Sequence, residues 1–454
     1  YCPIKKNCKS CWRAKMTKSA ATQSDTTTVG AQLIAPEASP EHGQKGGVSG
    51  WRECKLDNAP LEIVDGDRGK NYPSQNEFFD VGHCLFLSTK NVRFNGFDFS
   101  DCQFITREKD ELLRKGKLRR NDVILTTRGT VGNLGFYGDS IAYENVRINS
   151  GMVIIRPNTD NLYPLFNFYL FRHLQSDFQT HTSGSAQPQL PIRDLKEMYV
   201  SIPPLPEQKA IAAVLSSLDD KIDLLYRQNQ TLEAMAQTLF RQWFIEEARE
   251  DWEEVTLANL CKVITKGTTP TTLGHSFVDV GVNFIKAESI TDDGGFIKEK
   301  FAKINLETHK LLNRSVILKS DILCSIAGTI GRVAMVEDWI LPANTNQAIA
   351  ILRTNEQRCF PQFIYLFLKS SSFQDAMDGK IVHAVQPNLS LGQIGSTNLR
   401  LPPYGYLCDF VELVKPMFEK KTMNLIQIQT LAQLRDTLLP KLMSGEIRVE
   451  VEYE

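Results

Sequence analysis

No run of apolar residues in this sequence approaches the ~18 needed for a transmembrane helix, so a transmembrane helix is excluded. Ten cysteines in 454 residues are too sparse for a disulfide scaffold, which points to a reducing cytoplasm. The seven histidines do not cluster. A GxxxxGKS/T phosphate loop, HExxH and GxSxG are all missing, which excludes a P-loop ATPase, a zincin and a serine hydrolase of the nucleophile-elbow type. Gly129 to Gly135 spell GxxGxxG rather than GxGxxG, with no dinucleotide context, and read as a turn. An excess of positive charge is lacking too. The 52 Lys+Arg against 53 Asp+Glu leave −1, which argues against a lone nucleic-acid-binding domain. What remains is ordinary for a soluble globular protein, 42% hydrophobic and 23% charged, with length for two to four domains.

Residues 1–50 differ from the rest. They are rich in Ser, Thr, Ala, Gly and Gln without a sustained apolar period, so they read as a disordered arm. The start at Tyr1 fits a fragment, a fusion remnant or an over-extended reading frame that truly begins at Met16, and no signal-peptide core follows the early lysines. Cys8 and Cys11 form a CxxC, but no second pair stands at zinc-ribbon spacing, so no metal site is expected. Without the arm, 45 basic and 50 acidic residues leave −5 for residues 51–454.

The chain repeats itself at an offset of 199 residues. Asp122 to Gly132 (DVILTTRGTVG) aligns with Asp321 to Gly331 (DILCSIAGTIG), and Gln187 to Leu190 (QPQL) with Gln386 to Leu389 (QPNL). Ile202-Pro-Pro aligns with Leu401-Pro-Pro, and Gln230-Thr-Leu with Gln429-Thr-Leu, in the same register. Such a constant offset marks a tandem duplication. Each copy mixes strand-like runs (Val123–Thr127, Met152–Arg156, Ile322–Ser325, Ile349–Arg353) with short helical patterns (Phe166–Leu174, Phe363–Leu368) and closes on Pro-Pro.

A long helix follows each copy. In the first, Ile211, Leu215, Leu218, Ile222, Leu225, Asn229, Leu232, Ala236, Leu239 and Trp243 alternate steps of four and three, a coiled-coil seam holding one polar Asn. In the second, Phe410, Val414, Met417, Ile428, Leu431, Leu438 and Leu442 keep the frame, while Lys421, Asn424 and Arg435 interrupt it. Pro416 is expected to bend that helix or delay its start. The order globe, helix, globe, helix implies an antiparallel helical rod with a globe at each end. Over Glu207 to Phe244, 38 residues, the rod measures roughly 57 Å, or about 17 base pairs of B-DNA.

The fold class is therefore α/β: two domains of small mixed sheet plus helices, joined by two long helices in an antiparallel coiled coil with pseudo-twofold symmetry. Expected boundaries are 1–50 for the arm, 51–206 for domain 1, 207–248 for the central helix, 249–404 for domain 2, 405–448 for the C-terminal helix and 449–454 for a tail.

Two diverged globes, each closing on Pro-Pro before a long helix, resemble the specificity subunit of type I restriction–modification systems. The nearest local matches run from Ile202 (IPPLPEQKAIA) and from Leu439 (LPKLMSGEI), with the paired Gly-Thr-x-Gly turns and Gln-Pro-x-Leu segments. The resemblance covers residues 51–448, although the second copy has Tyr404-Gly-Tyr406 where the first has Leu-Pro-Glu-Gln, leaving its helix start open. It implies that each target-recognition domain reads one half of a split DNA sequence, while the helices set the gap and dock two methyltransferase subunits, which two restriction–translocase subunits join. S-adenosylmethionine, ATP and Mg are then expected in those partners and no cofactor in this chain.

The residues agree on the absence of catalysis. An adenine methyltransferase needs an Asp/Asn-Pro-Pro-aromatic loop to hold the flipped base. Leu401-Pro-Pro-Tyr404 imitates it but offers no polar side chain, and Ile202-Pro-Pro-Leu205 lacks the aromatic as well; both read as domain-to-helix junctions. A protein-only coiled-coil adaptor and a self-contained methyltransferase or nuclease are the competing readings.

Base reading calls for Arg or Lys toward guanine, Asn or Gln toward adenine, and small residues where backbone meets phosphate. In copy 1 these are Lys90, Asn91, Arg128, Gly129, Thr130, Asn133, Gln187 and Gln189. In copy 2 they are Lys286, Ser289, Gly328, Thr329, Arg332, Gln386 and Asn388. Features shared by both copies suit scaffold, and differences suit readout, which favours Arg128 against Ala327, Asn133 against Arg332 and Gln189 against Asn388. The glycines and threonines either build a turn or approach phosphate. The basic stretch Arg107 to Arg120 is either a phosphate contact or a solvated helix face.

Overall fold

The computed structural model of the chain describes residues 33–34, 50–93, 96–178, 180, 182, 188–381 and 388–450. The chain divides into two compact units, one of Tyr1–Ser217 with Arg435–Glu454, the other Leu218–Leu434. The cut falls within both long helices, so each unit keeps an end of each.

In the first unit, Leu61–Asp65, Met152–Pro157, Val123–Thr126 and Leu134–Phe136 lie in that order in an antiparallel sheet. Val123–Thr126 is buried along its whole length, as its unbroken apolar run anticipates for a strand covered on both faces. A second sheet sets Val146–Ile148 parallel to Cys84–Leu87, with Phe104–Ile105 antiparallel on the far edge. A ribbon of Arg52–Lys55 and Tyr199–Ile202 closes the domain and delivers the chain to Pro203-Pro204 and the helix.

The second unit repeats this plan. Cys261–Lys266, Ile349–Thr354, Ile322–Ser325 and Val333–Met335 form one antiparallel sheet. The other carries Ala302–Ile304, Val282–Ile285, Ala343–Thr345 and Val316–Ile317, with the middle two strands parallel. Its closing ribbon is Glu253–Thr256 with Asn398–Leu401. The anchor ion pairs repeat as well: Arg156 clasps Asp122 at 2.8 and 2.9 Å, and Arg353 clasps Asp321 at 2.7 and 2.8 Å.

The long helices span Leu205–Arg241 and Tyr404–Met443, shorter at their C-termini than expected. Gln242–Glu246 is a π-helical turn, and Arg448–Val449 is a strand paired with Leu33–Ile34. Two residues of the arm are therefore paired in a strand against expectation, while residues 1–32 and 35–49, with the CxxC, lie outside the described residues. The second helix also runs unbroken through Pro416. Pro416 and Glu412, whose carbonyl loses its helical donor, are both exposed, so water can satisfy that carbonyl.

Two different devices start the helices. Glu207 is 1% exposed and accepts from the Trp51 indole at 3.1 Å and the Arg448 guanidinium at 2.8 and 3.0 Å. Gln208 ties Tyr163 N, Asn161 O and Pro203 O to the same turn. The Tyr404-Gly-Tyr406 start uses aromatic packing instead: Tyr406 lies 4.9 Å from Trp243 and 5.5 Å from Trp252, and Tyr404 stacks on Phe360. The missing Pro-Glu-Gln is thus replaced, and the helix begins beside its Pro-Pro.

All ten seam positions of the first helix are buried or half-buried. In the second unit, the residues expected to interrupt the seam prove to belong to it. Asn424 donates to Asn229 at 2.9 Å, both buried. One turn on, Lys421 reaches Glu233 at 2.7 Å, and Lys369 from the globe reaches the same carboxylate at 3.1 Å. The Tyr365 hydroxyl adds a third donor at 2.9 Å. Burial alone would raise the Glu233 carboxyl, but the two ammoniums more than offset it and hold it below the usual range. Burial pushes Lys369 down and Tyr365 up.

Candidate nucleic-acid interface

Each unit carries one loop built to the same plan. After Val123–Thr126, the Thr126 hydroxyl donates to Thr130 O and accepts from Asn133 N at 2.9 Å, while Gly132 N donates to Thr126 O at 3.0 Å. After Ile322–Ser325, the Ser325 hydroxyl donates to Thr329 O and accepts from Arg332 N at 2.9 Å, with Gly331 N on Ser325 O at 3.0 Å. These hydroxyls were missed in the sequence, although a Thr or Ser at one register position in both copies was the available signal. Gly129 and Gly328 stand at the exposed tips with φ of +73° and +76°, which a side chain would strain. A Cβ added to either would meet nothing within 4 Å, so another molecule's backbone can approach closely. The glycines and threonines thus build the turn and still leave its tip open.

The residues that follow each Gln-Pro, Gln189-Leu190 and Asn388-Leu389, dock on these loops. Leu190 N donates to Thr127 O at 2.9 Å, and Leu389 N to Ile326 O at 2.9 Å. Arg128 bridges Gln189, and Ala327 bridges Asn388, each as an isolated antiparallel pair. Segments about 60 residues apart in sequence therefore meet in both units, as the shared offset suggests. Gln187 and Gln386 lie outside the described residues.

Several predicted readers act from behind the loops instead. Asn91 is 4% exposed; its carbonyl oxygen caps the turn that starts at Ser88, and its amide donates to Asp98 O and Asp101 O. Ser289 is fully buried, accepting from Lys286 N and donating to Lys300 O. Asn133 donates to Val92 O at 2.8 Å. The Arg332 guanidinium pairs with Asp292 at 2.5 and 3.2 Å and donates to Ile290 O. These four side chains make internal bonds in this structure. The Ser-x-x-Asn spacing of a capping box was the sequence signal for Asn91. Lys90 is exposed. Lys286 is half-buried, 3.8 Å from Glu288 and over the Phe277 ring.

The basic stretch is not one helix face, because only Arg107–Leu112 is helical. Lys109 pairs with Glu77 and Lys117 with Asp110, and Arg120 donates to two carbonyls while lying over Tyr137. Arg114, Lys115 and Arg119 are exposed.

Among the described residues, no group of three or more His, Cys, Asp and Glu could hold a metal, and no helix is long and apolar enough to cross a membrane. Burial pushes the Cys84, Cys261 and Cys324 thiols up to about 12, so they stay protonated at neutral pH.

The family model of the type I restriction modification DNA specificity domain matches residues 62–234 and again 249–405. The specificity subunit of type I restriction enzyme MjaIX from Methanocaldococcus jannaschii is 29% identical over 73% of this chain and 78% of its own length. The HindI specificity subunit of Haemophilus influenzae is 23% identical over 88% of this chain and its whole length. Among solved structures, the S subunit of a type I restriction–modification system from M. genitalium shares the fold, with a TM-score of 0.50 at 16% identity over 87% of this chain and 96% of that one. With the model matched twice, once on each repeat and over most of the chain, the protein belongs to the type I restriction–modification DNA specificity family.

Proposed function

We propose that this chain is the non-catalytic DNA-recognition subunit of a type I restriction–modification enzyme, with each repeat reading one half of a bipartite target. The observation that carries the reading is the Gly-Thr loop with the bridging residue docked on it, Gln189 in repeat 1 and Asn388 in repeat 2. It is built twice on one backbone plan, open at the tip, and furnished with different side chains. Two half-sites of different sequence require that combination of shared frame and divergent surface. Lys90, Arg128, Gly129, Thr130, Gln187 and Gln189 in repeat 1, and Lys286, Gly328, Thr329, Gln386 and Asn388 in repeat 2, are the proposed contacts. Asn91, Asn133, Ser289 and Arg332 hold the loops that present them.

The long helices set the distance between half-sites and dock two adenine methyltransferase subunits in the cytoplasm, and two restriction–translocase subunits complete the enzyme. S-adenosylmethionine, ATP and Mg are bound by those partners. The −5 charge of residues 51–454 implies weak DNA affinity for the isolated chain and tight binding in the assembly, because phosphate neutralisation dominates affinity. Long-read sequencing of the host with and without this gene tests the proposal. Loss of adenine methylation at one split motif is expected on deletion; unchanged methylation in an otherwise active system overturns it.

A further inference from the structure

The two repeats build the same backbone bridge and hang different side chains on it. Residues directly opposite in an antiparallel pair project to the same face. Arg128 and Gln189 therefore stand side by side next to the open tip at Gly129, and Ala327 with Asn388 occupy the matching place next to Gly328. The neighbouring positions of the loop differ in another way, since Asn133 and Arg332 are bound internally. Arg128 is not: its Nε is buried without a hydrogen-bond partner, and no described carboxylate pairs with it. An unmet buried donor of this kind is costly in the free protein and is satisfied when a ligand supplies the acceptor.

We propose that this bridge is the base-reading element of each repeat, so that Arg128 with Gln189 selects one half-site and Ala327 with Asn388 the other. This rests on the DNA-recognition reading above. A guanidinium forks onto guanine O6 and N7, and a Gln or Asn amide onto adenine N6 and N7, while a small apolar side chain suits the thymine methyl. The half-site of repeat 1 therefore contains a guanine beside an adenine. The half-site of repeat 2 contains an adenine and no guanine read by an arginine at this bridge.

The test uses the full assembly with its methyltransferase subunits. The exchanges R128A/Q189N and A327R/N388Q are expressed separately and the methylated motif is mapped by long-read sequencing. Each is expected to alter or relax one half-site and to leave the other half and the gap unchanged. R128K keeps the charge but not the fork, and should lose about ten- to hundredfold discrimination at the guanine. Retention of the full motif by R128K and by both exchanges overturns the proposal. A variant-free measurement covers the case of failed folding: 7-deazaguanine, which lacks N7, is placed at each guanine of the target in turn. One position in the repeat 1 half-site should weaken binding by the wild-type assembly, and binding insensitive to all of them overturns the proposal. A wild-type assembly that shows no sequence preference at all would instead sink the functional reading itself.

Discussion

Replacing Glu233 by Gln removes the carboxylate that Lys421 and Lys369 both pair with in the buried cluster on the helix pair. The three side chains are 8%, 15% and 11% exposed, so water screens them little. Glu233→Gln leaves two ammoniums, 2.7 and 3.1 Å from a neutral amide, without a directly paired counter-charge, the Glu337 and Asp293 carboxylates acting on them without a direct ion pair. Breaking a buried pair this way costs about 3–5 kcal/mol. Lys421→Met should cost less, on the order of 1–2 kcal/mol, because Lys369 and the Tyr365 hydroxyl still serve the carboxylate. Urea titration followed by the fluorescence of Trp243 and Trp252, which pack in the same unit, measures both. Because the folded carboxyl lies below the usual 4.5, its contribution is complete above that value and is lost as pH falls through the lower folded one. The wild type should therefore lose part of its advantage over Glu233→Gln below pH 4.5. A smaller cost for Glu233→Gln than for Lys421→Met would refute the reasoning.

The buried Asn229–Asn424 pair makes a related prediction. Asn229→Leu alone leaves the buried Asn424 amide only the long 3.4 Å bond to Gln228 and should cost about 1–3 kcal/mol, whereas the double change to Leu should be neutral or stabilising in urea titration. The same double variant should assemble less uniquely, seen as heterogeneity in native mass spectrometry, because the polar pair fixes helix register. Inserting two heptads between Leu225 and Leu232, with a matching insertion in the second helix, adds about 21 Å to each helix. The methylated motif should then widen by about six base pairs with both half-sites unchanged, read by long-read sequencing.

Much of the architecture was legible because duplication writes it twice: the Asp-to-Gly blocks, the Gln189 and Asn388 bridges and the Pro-Pro junctions all fall where the shared offset puts them. The seam of the first helix was legible because its steps of four and three are unbroken, with Asn229 its one polar member. The second helix misled where Lys421 and Asn424 looked like defects, since a sequence does not show that Glu233 and Asn229 face them. Pro416 does not delay the helix start, because the orphaned Glu412 carbonyl is open to water, which is a matter of exposure. The paired loops were legible as a repeat, but the internal bonds of Asn91, Asn133, Ser289 and Arg332 were not, because residue type alone does not show its partners. The groups that hydrogen-bond a base serve equally well to cap a turn or pin a strand, and only the partners within the fold decide.

The central claim is that each repeat specifies its own half of the target. Replacing Trp252–Leu401 by a second copy of Trp51–Ile202, bounded by the equivalent ribbon strands, tests it in one measurement. Mapping methylated adenines in cells that express this variant with its partners should give a motif whose halves are both the repeat 1 half-site. An unchanged motif, still carrying the half-site assigned to repeat 2, would contradict the account.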